Sequence, residues 1–167
     1  MKSALSSLKK HISDPRKGLP EEVFSFVTTL TPMVNVDLLI KDDSENILLT
    51  WRDDLGGGWH IPGSIIRVQE TIQQRLQKTV EKELSCTAVF SDTPIEVKEF
   101  IFPELKERSH FISFLYETTL TSLPPNELHS KQGKPSAGQF RWFAQAPDDL
   151  LIYHNYYRKY FKKGLQS

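Results

Sequence analysis

The sequence predicts an α/β protein of the α+β type, in which a mixed β-sheet is sandwiched between helices. A length of 167 residues suits one domain with one hydrophobic core. Apolar residues recur at helical spacing near the beginning, in the centre and near the end of the chain. The strand-like segments between these helices do not alternate regularly with them. This order argues against a doubly wound parallel sheet and favours a mixed sheet.

The beginning of the chain predicts an extension followed by the first helix of the domain. Residues 1–18 form the N-terminal extension, which ends in a polar loop, and the domain spans residues 19–163. Pro20 suits the start of a helix, and Pro32 lies where that helix must stop. We therefore expect an amphipathic helix over about residues 20–30.

The strands are predicted from short apolar runs bounded by turn residues. They are expected at residues 34–40, 47–52, 59–62, 87–91, 95–102, 109–120 and 139–143. The first two flank the polar turn KDDSEN and are therefore expected to form a hairpin. A long loop with three prolines, residues 122–138, precedes the last strand.

The central helix starts at a capping box, since Thr71 suits the N-cap and Gln74 lies three residues later. With Ile72 set at zero and about 100° per residue, the apolar stripe spans about 0° to 120°. On the same count Glu83 falls at about 20°, within the stripe, and Glu81 at about 180°, facing solvent. A carboxylate on an apolar face is costly unless it is paired or binds a metal. Glu83 is therefore either a carboxylate at the edge of the stripe, paired with a lysine or a backbone amide, or a metal ligand.

The last helix is predicted over residues 148–161, with acidic residues near its start and basic residues near its end. Its tyrosines are expected to pack on the sheet or to form the contact of a homodimer. They are Tyr153, Tyr156, Tyr157 and Tyr160.

Charge and composition limit the classes of partner. Lys plus Arg and Asp plus Glu each number 21, so the net charge of zero predicts neither nucleic-acid nor membrane binding. No run approaches the roughly 18 apolar residues of a membrane span, and the first residues do not resemble a secretory signal. Cys86 is the single cysteine, which is typical of a reducing compartment. We expect a cytoplasmic protein.

Residues 63–85, GSIIRVQETIQQRLQKTVEKELS, resemble a Nudix box, the loop–helix–loop signature Gx5Ex7REUxEExGU in which U is a large apolar residue. The register holds without a gap from the first position to the last, and Glu70 and Glu83 match the pattern. Other residues replace the expected ones at five positions. They are Ser64 for glycine, Lys78 for arginine, Thr79 and Lys82 for glutamates, and Ser85 for the last glycine.

The chain is more similar to the GDP-mannose mannosyl hydrolase branch of the Nudix superfamily, which also lacks the glutamate of the RE pair. The resemblance covers about residues 20–161. It includes TPMVNVDLLI (31–40), WHIPGS (59–64), FRWF (140–143) and RKYF (158–161). The resemblance implies a Nudix-like fold and hydrolysis of a small nucleotide substrate, a nucleotide sugar.

The resemblance also implies roles for individual residues. One Mg²⁺, or Mn²⁺ in its place, would be held by the backbone carbonyl of Gly63 and the carboxylate of Glu83. Asp37 and Arg52 would bind substrate, with Arg52 also assisting catalysis. Glu70 and Lys78 would form a structural ion pair within the box. These roles agree with the preference of Mg²⁺ for one or two carboxylates plus substrate phosphates.

The general base of this branch is a histidine that follows a glutamine in the loop before the RW strand. Counting back from Phe140 without a gap puts Ser136 and Ala137 at these positions, and alanine cannot accept a proton. With an insertion in the loop, Glu127-Leu128-His129 would match instead, and His129 would be the base. A solvated loop histidine is the alternative for His129.

Three functions follow from the sequence. The first is a Mg²⁺-dependent hydrolase that cleaves a nucleotide sugar at the anomeric carbon. The second is an ordinary Nudix pyrophosphohydrolase that attacks phosphorus. The third is a non-catalytic nucleotide-binding domain, which the replaced residues Thr79, Lys82, Ser136 and Ala137 favour.

Overall fold

The computed structural model describes residues 2–54 and 56–162 of the chain. The three regular α-helices of this part are α1 (Lys2–His11), α2 (Glu21–Thr28) and α3 (Ile72–Leu84). Short 3₁₀ helices span Pro15–Lys17, Asn126–Leu128 and Ile152–Tyr160. The strands are β1 (Met33–Ile40), β2 (Ile47–Arg52), β3 (Gly58–His60), β4 (Gly63–Ile65), β5 (Ala88–Phe90), β6 (Glu96–Ile101), β7 (His110–Leu120) and β8 (Phe140–Phe143). The predicted end of the domain, Lys163, lies outside the described residues.

The larger sheet is mixed, as predicted, with the strand order β4-β1-β7-β5 and with β6 paired to the first half of β7. Strands β1 and β7 are parallel, from Met33 opposite Phe111 to Ile40 opposite Thr118. A parallel pair requires a crossover connection, and α3 lies within the segment that joins these two strands. The α/β class predicted from the sequence is confirmed.

Helix α3 covers one face of the mixed sheet. The apolar stripe predicted for this helix is buried against alternate residues of β1, and both sets belong to one core cluster. On the opposite face, Leu39 of β1 packs with the second sheet and with Tyr157 of the last 3₁₀ helix. The sheet is therefore sandwiched between helical elements, and each of its two faces packs against a different hydrophobic core cluster.

The predicted hairpin between residues 34–40 and 47–52 is wrong. Strand β2 belongs to a separate antiparallel sheet with the order β3-β2-β8, and an isolated bridge between Lys41 and Ile47 is its ladder link to the end of β1 among the described residues. Both strands are buried along most of their length. Each forms its backbone hydrogen bonds with other strands of its own sheet. The Asp42 carboxylate accepts backbone hydrogen bonds from Ser44 and Asn46 and closes the turn between the sheets.

Helical structure at the two ends of the chain differs from the prediction. The extension contains α1, none of whose residues is buried. The last helix is a 3₁₀ helix over Ile152–Tyr160, shorter than the predicted 148–161. Residues just before it pair with β3 instead: Trp59 N–H donates to Asp149 and Leu151 N–H donates to Trp59. Hydrogen bonding to a strand leaves this backbone unavailable for a helix.

The tyrosines of the last helix pack on the mixed sheet. Tyr157 is buried, and the hydroxyls of Tyr156 and Tyr160 donate to the carboxylate of Glu96 on β6. These contacts account for the apolar face of the helix, while the homodimer stays a prediction. Among the helices described, none is long and apolar enough to cross a membrane.

Candidate active site

A cavity of about 970 Å³ is lined by residues of both sheets, α3 and the last 3₁₀ helix. Its volume is in the range of cavities that bind small organic molecules. Four of the residues singled out in the sequence meet in its wall, although they come from four different elements. They are Asp37 of β1, Arg52 of β2, Gly63 of β4 and Glu83 of α3. We call this space the Glu83 cavity.

Glu83 points inward from the last turn of α3 and keeps 23% of its side chain exposed. One carboxylate oxygen, Oε2, accepts a hydrogen bond of 3.3 Å from Thr50 Oγ1 and lies 3.8 Å from His60 Nε2. Burial raises the pKa of Glu83, and the Thr50 hydrogen bond only partly opposes this shift. Glu81, two residues earlier, is exposed as the helical count predicted. Glu83 is therefore an acid with weak protein partners facing an open cavity.

The backbone of Gly63 offers a second oxygen to the same cavity. Leu38 N–H donates to Pro62, Ile66 N–H donates to Val34, and Asp37 lies opposite Gly63. Because hydrogen-bonded pairs alternate along an antiparallel ladder, Asp37 and Gly63 form a non-hydrogen-bonded pair. The Gly63 carbonyl therefore points away from β1, and β4 is an edge strand of the sheet. This carbonyl is free to accept a ligand.

Glycine at position 63 is required by the close approach of Asp37. A Cβ placed on Gly63 would lie 2.2 Å from Asp37 Oδ1 and 2.9 Å from the Val36 carbonyl oxygen. Short Cα separations are typical of non-hydrogen-bonded pairs, so the two residues press together at this point of the ladder. The Asp37 carboxylate thus lies directly against the backbone that carries the free carbonyl.

Asp37 is almost fully buried and already hydrogen-bonded. Its Oδ1 accepts from Asn35 Nδ2 at 2.6 Å, and its Oδ2 accepts from the hydroxyls of Ser113 and Tyr157. Burial raises the pKa of Asp37 to about 6, against the effect of these three hydrogen bonds. The predicted role in substrate binding stays a prediction, because the contacts in the structure are those of a residue that supports Gly63 from behind.

Arg52 ends β2 with its guanidinium in the wall of the cavity. Its Nε and Nη2 atoms each lie 2.5 Å from an oxygen of Asp54, a bidentate pair that the sequence analysis missed. The Arg52 hydrogen bond holds the pKa of Asp54 below its usual range. Asp54 therefore orients Arg52, and the remaining guanidinium nitrogen, Nη1, has no hydrogen-bond partner among the described residues.

These groups fit one Mg²⁺ that completes its shell with water and with substrate oxygens. Mg²⁺ prefers oxygen ligands and is commonly held by one or two carboxylates plus substrate phosphates. Glu83 and the Gly63 carbonyl supply such oxygens, and within the described ranges no group of three or more His, Cys, Asp or Glu residues forms a larger metal cluster. Thr79 is buried and donates its hydroxyl to the Arg75 carbonyl, so it contributes no metal ligand.

The predicted ion pair of the box is present outside the cavity, with Lys78 Nζ 2.9 Å from Glu70 Oε1. The buried partner of Glu70 is Arg75, whose Nη2 lies 2.6 Å from Oε2 and which the sequence analysis missed. Burial raises the pKa of Glu70, but Lys78, the Arg67 backbone N–H and Arg75 together lower it to about 2. The position of Arg75, one turn before Thr79 on the same side of α3, was the available signal.

His129 is not brought to the cavity. Its ring stacks on Phe140 with centroids 5.0 Å apart, and its backbone bridges the start of β8. From this loop Leu128, Ala137 and Gly138 line the cavity, whereas His129 does not. The base role predicted for His129 has no support in this geometry.

Two other histidines, His60 and His154, border the cavity. His60 Nε2 lies 3.2 Å from Thr50 Oγ1, and its buried Nδ1 has no hydrogen-bond partner among the described residues. His154 Nδ1 accepts the Ile61 N–H at 3.3 Å. Burial lowers the pKa of His60 well below its usual range and that of His154 to about 3. Both imidazoles are therefore neutral at neutral pH and are weak proton acceptors.

Comparison with known proteins identifies the fold. None of the known protein-family models matches the chain. A curated relative, the low-salt glycan biosynthesis protein Agl8 of Haloferax volcanii, is 23% identical over 126 residues, which cover 70% of this chain and 77% of that protein.

Solved structures of Nudix hydrolases resemble the chain over most of its length. A UDP-X diphosphatase aligns with a TM-score of 0.57 and 22% identity, covering 92% of this chain and 72% of that one. A MutT NUDIX hydrolase from Burkholderia pseudomallei aligns with a TM-score of 0.56 and 21% identity over 79% of this chain and 99% of that one. The chain therefore has the fold of the Nudix hydrolases.

Proposed function

We propose that this chain, which has the Nudix fold, is a Mg²⁺-dependent hydrolase of a nucleoside diphosphate-linked substrate. The observation that carries the proposal is Glu83, a half-buried carboxylate with one weak hydrogen bond, in the same cavity as the free carbonyl of Gly63. A carboxylate with so few partners is costly for the metal-free protein. A bound cation removes that cost, which is why we assign the metal to this end of α3.

The chain's own residues would bind and orient the diphosphate. Arg52, held by Asp54, presents a fixed positive charge to phosphate oxygens in the cavity. Glu83 and the Gly63 carbonyl would hold Mg²⁺, which would supply positive charge to stabilise the leaving diphosphate. Asp37 keeps Gly63 in place and so positions the carbonyl that holds the ion. Mn²⁺ would serve as an alternative ion, since it accepts the same oxygen ligands.

A nucleotide sugar is the substrate class we propose. The cavity volume of about 970 Å³ suits a molecule with both a nucleoside and a sugar. Aromatic side chains including Phe102 and Tyr153 form part of its wall, with rings 4.8 Å apart, and offer apolar faces to a base or a sugar. The relative from Haloferax volcanii is named for glycan biosynthesis, and the UDP-X diphosphatase is named for a nucleoside diphosphate compound.

We propose that water attacks the anomeric carbon, so that the glycosyl bond breaks and a nucleoside diphosphate leaves. The low number of carboxylates supports this reaction, because Thr79 and Lys82 stand where the box would supply further acids. Attack on phosphorus is the alternative, favoured by the alignment with a UDP-X diphosphatase over 92% of this chain. Hydrolysis in ¹⁸O water separates them: label in the sugar indicates carbon attack, and label in phosphate indicates phosphorus attack.

We propose that the histidines of the cavity orient the attacking water through their neutral rings, whose lowered pKa makes them weak proton acceptors. His60 and His154 border the space beside Glu83, whereas His129 stacks on Phe140 away from it. We expect His129→Gln to leave turnover unchanged and His60→Gln to reduce it. A reduction by His129→Gln alone would restore the base predicted from the sequence.

Purified protein with Mg²⁺, assayed against nucleotide sugars and dinucleotides, tests the proposal. We expect turnover of at least one nucleotide sugar, its loss on chelation, and its loss in Glu83→Gln. Glu81→Gln is the matched control, since Glu81 is on the same helix and exposed. Binding of a nucleotide sugar without turnover, unchanged by Glu83→Gln, would instead identify a non-catalytic nucleotide-binding domain.

We also propose that the protein acts in the cytoplasm, on a small molecule. The single cysteine, Cys86, is consistent with a reducing compartment. It is buried in the core beneath α3, and burial raises the pKa of its thiol, which keeps the thiol protonated and unreactive.

A further inference from the structure

A second cleft, of about 450 Å³, lies between the N-terminal extension and the outer side of α3. Six of its lining residues are basic: Arg16, Lys17, Arg67, Arg75, Lys78 and Lys82. Glu81 is the one acidic residue among the described residues that line it. The whole chain has a net charge of zero, so this basic cleft is a strong local imbalance of charge.

The fold builds the basic cleft from both sides. Arg75, Lys78 and Lys82 follow one another at three and four residues along α3 and therefore share one side of the helix. The 3₁₀ helix Pro15–Lys17 brings two further cations across from the extension. Gly18 follows with φ of 120°, and a Cβ there would lie 3.2 Å from the Arg67 guanidinium carbon. A glycine at this position lets Arg67 pack against the extension.

Part of the charge is neutralised and part is not. Arg75 and Lys78 pair with Glu70, and Arg16 pairs with Asp14. For Lys17, Arg67 and Lys82, no described residue accepts a side-chain hydrogen bond or forms an ion pair. Like charges that converge on one space repel each other unless an anion lies between them.

We infer that the basic cleft is an anion site that takes a phosphate or diphosphate group, separate from the Glu83 cavity. Arginine and lysine are the side chains that bind phosphate oxygens, and Arg67 can do so through two nitrogens at once. Lys82, which stands where the Nudix box has a glutamate, lines both spaces. The residue that weakens the box as a metal site therefore contributes to the anion site beside it.

The basic cleft would recognise the same phosphate oxygens in two kinds of ligand. The bound group is either free inorganic phosphate or diphosphate, or a phosphate group carried by a larger ligand that also enters the Glu83 cavity. Binding does not depend on hydrolysis, so the inference stands or falls independently of the proposed function.

Calorimetric titration of the metal-free protein with sodium diphosphate at low salt tests the site. We expect saturable binding of diphosphate. The affinity should fall about tenfold in Arg67→Gln, because one charge-assisted contact is lost. Lys17→Gln, in the exposed 3₁₀ helix, should weaken binding without affecting the fold. Glu81→Gln should strengthen binding, because it removes the acidic residue of the cleft. Thermal melts of each variant verify folding.

Controls separate this site from general charge effects and from the Glu83 cavity. Lys131→Gln, an exposed lysine on the loop before β8, should leave binding unchanged. Absence of saturable binding, or an equal loss in Lys131→Gln, would overturn the inference. Complete competition by a nucleoside diphosphate that persists in Arg67→Gln would also overturn it, because the diphosphate would then occupy the Glu83 cavity.

A parallel titration with a nucleoside 5′-diphosphate and its 3′-phosphorylated analogue distinguishes the two kinds of ligand. Tighter binding of the 3′-phosphorylated compound, lost in Arg67→Gln, indicates a group on a larger ligand. Equal binding of the two compounds, with diphosphate still bound, indicates a free anion. Either result supports an anion site in the basic cleft.

Discussion

Two glutamates lie at opposite ends of α3 and differ in the number of hydrogen-bond donors around them. Glu70, just before α3, is 4% exposed and has Lys78, Arg75 and the Arg67 backbone as hydrogen-bond donors. Glu83, in the last turn, has the Thr50 hydroxyl at 3.3 Å. The pKa of Glu70 is lowered to about 2, against the effect of its burial, whereas burial raises the pKa of Glu83.

The difference separates a structural acid from one that is available to a ligand. The partners of Glu70 stabilise its charged form and fix the loop of residues 63–70 onto α3. The partners of Glu83 only partly compensate for its burial, so its charged form is costly in the folded protein, and the proposed cation would remove that cost. The position of a carboxylate in the box thus says less about its role than the number of donors around it.

The largest expected effect is on catalysis. Glu83→Gln should lower turnover by about 100-fold or more, because the metal loses its one carboxylate ligand. The melting temperature of the metal-free protein should stay equal or rise, since a poorly compensated buried charge is removed. Steady-state assays with thermal melts measure both effects. A matching loss of activity in Glu81→Gln would break the distinction between the two acids.

The next largest effect is expected on stability, from substitution of Glu70 at the N-terminal end of α3. Glu70→Gln leaves the buried Arg75 without its carboxylate and should cost about 3 kcal/mol in the free energy of unfolding. Lys78→Met removes the exposed partner of Glu70 and should cost less than about 1 kcal/mol. Urea unfolding measures both variants. Equal costs would mean that Arg75 is not the principal partner of Glu70.

The pH dependence of unfolding should differ in sign for the two acids. Glu70, with a folded pKa of about 2, contributes stability that is present above its unfolded pKa near 4.5 and lost as pH falls toward 2. Glu83 has a raised pKa, so the metal-free protein loses stability as pH rises through that pKa. Subtracting the curve of each Gln variant from wild type isolates each contribution. Difference curves of the same sign would contradict this account.

A smaller effect is expected from the hydroxyl that touches Glu83. Thr50→Val removes this donor without changing the shape of the side chain and should weaken Mg²⁺ binding by up to about tenfold. Thr79→Val is the control, because the Thr79 hydroxyl bonds to a helix carbonyl away from the metal ligands. Equal effects of the two substitutions would show that Thr50 has no specific role at Glu83.

The sequence was most informative where periodicity decides the outcome. The helical count placed Glu83 inward and Glu81 outward, and the capping box of Thr71 and Gln74 is present. Sequence spacing could not show that β1 and β2 enter different sheets, because that choice depends on partners far along the chain. The contacts of Glu83 with Thr50 and His60 were missed for the same reason, whereas Arg75, five residues after Glu70, could have been found from the helical spacing.

The loop before β8 shows how a local match can mislead. Glu127-Leu128-His129 resembles a catalytic triplet in its letters, yet its backbone pairs with Phe140 and its ring stacks there. Leu128 lines the cavity together with Ala137 and Gly138, whereas its neighbour His129 does not. The packing of a long loop decides which of its residues reach a site. Loops have no periodic sequence pattern from which this packing could be predicted.

Titration with Mn²⁺, followed by the relaxation of water protons, tests most directly whether Glu83 and not Glu70 is the ligand-binding acid. We predict one Mn²⁺ site in the wild type, lost in Glu83→Gln and retained in Glu81→Gln and in Glu70→Gln below its melting temperature. Unchanged Mn²⁺ binding in Glu83→Gln, or its loss in a folded sample of Glu70→Gln, would contradict the account.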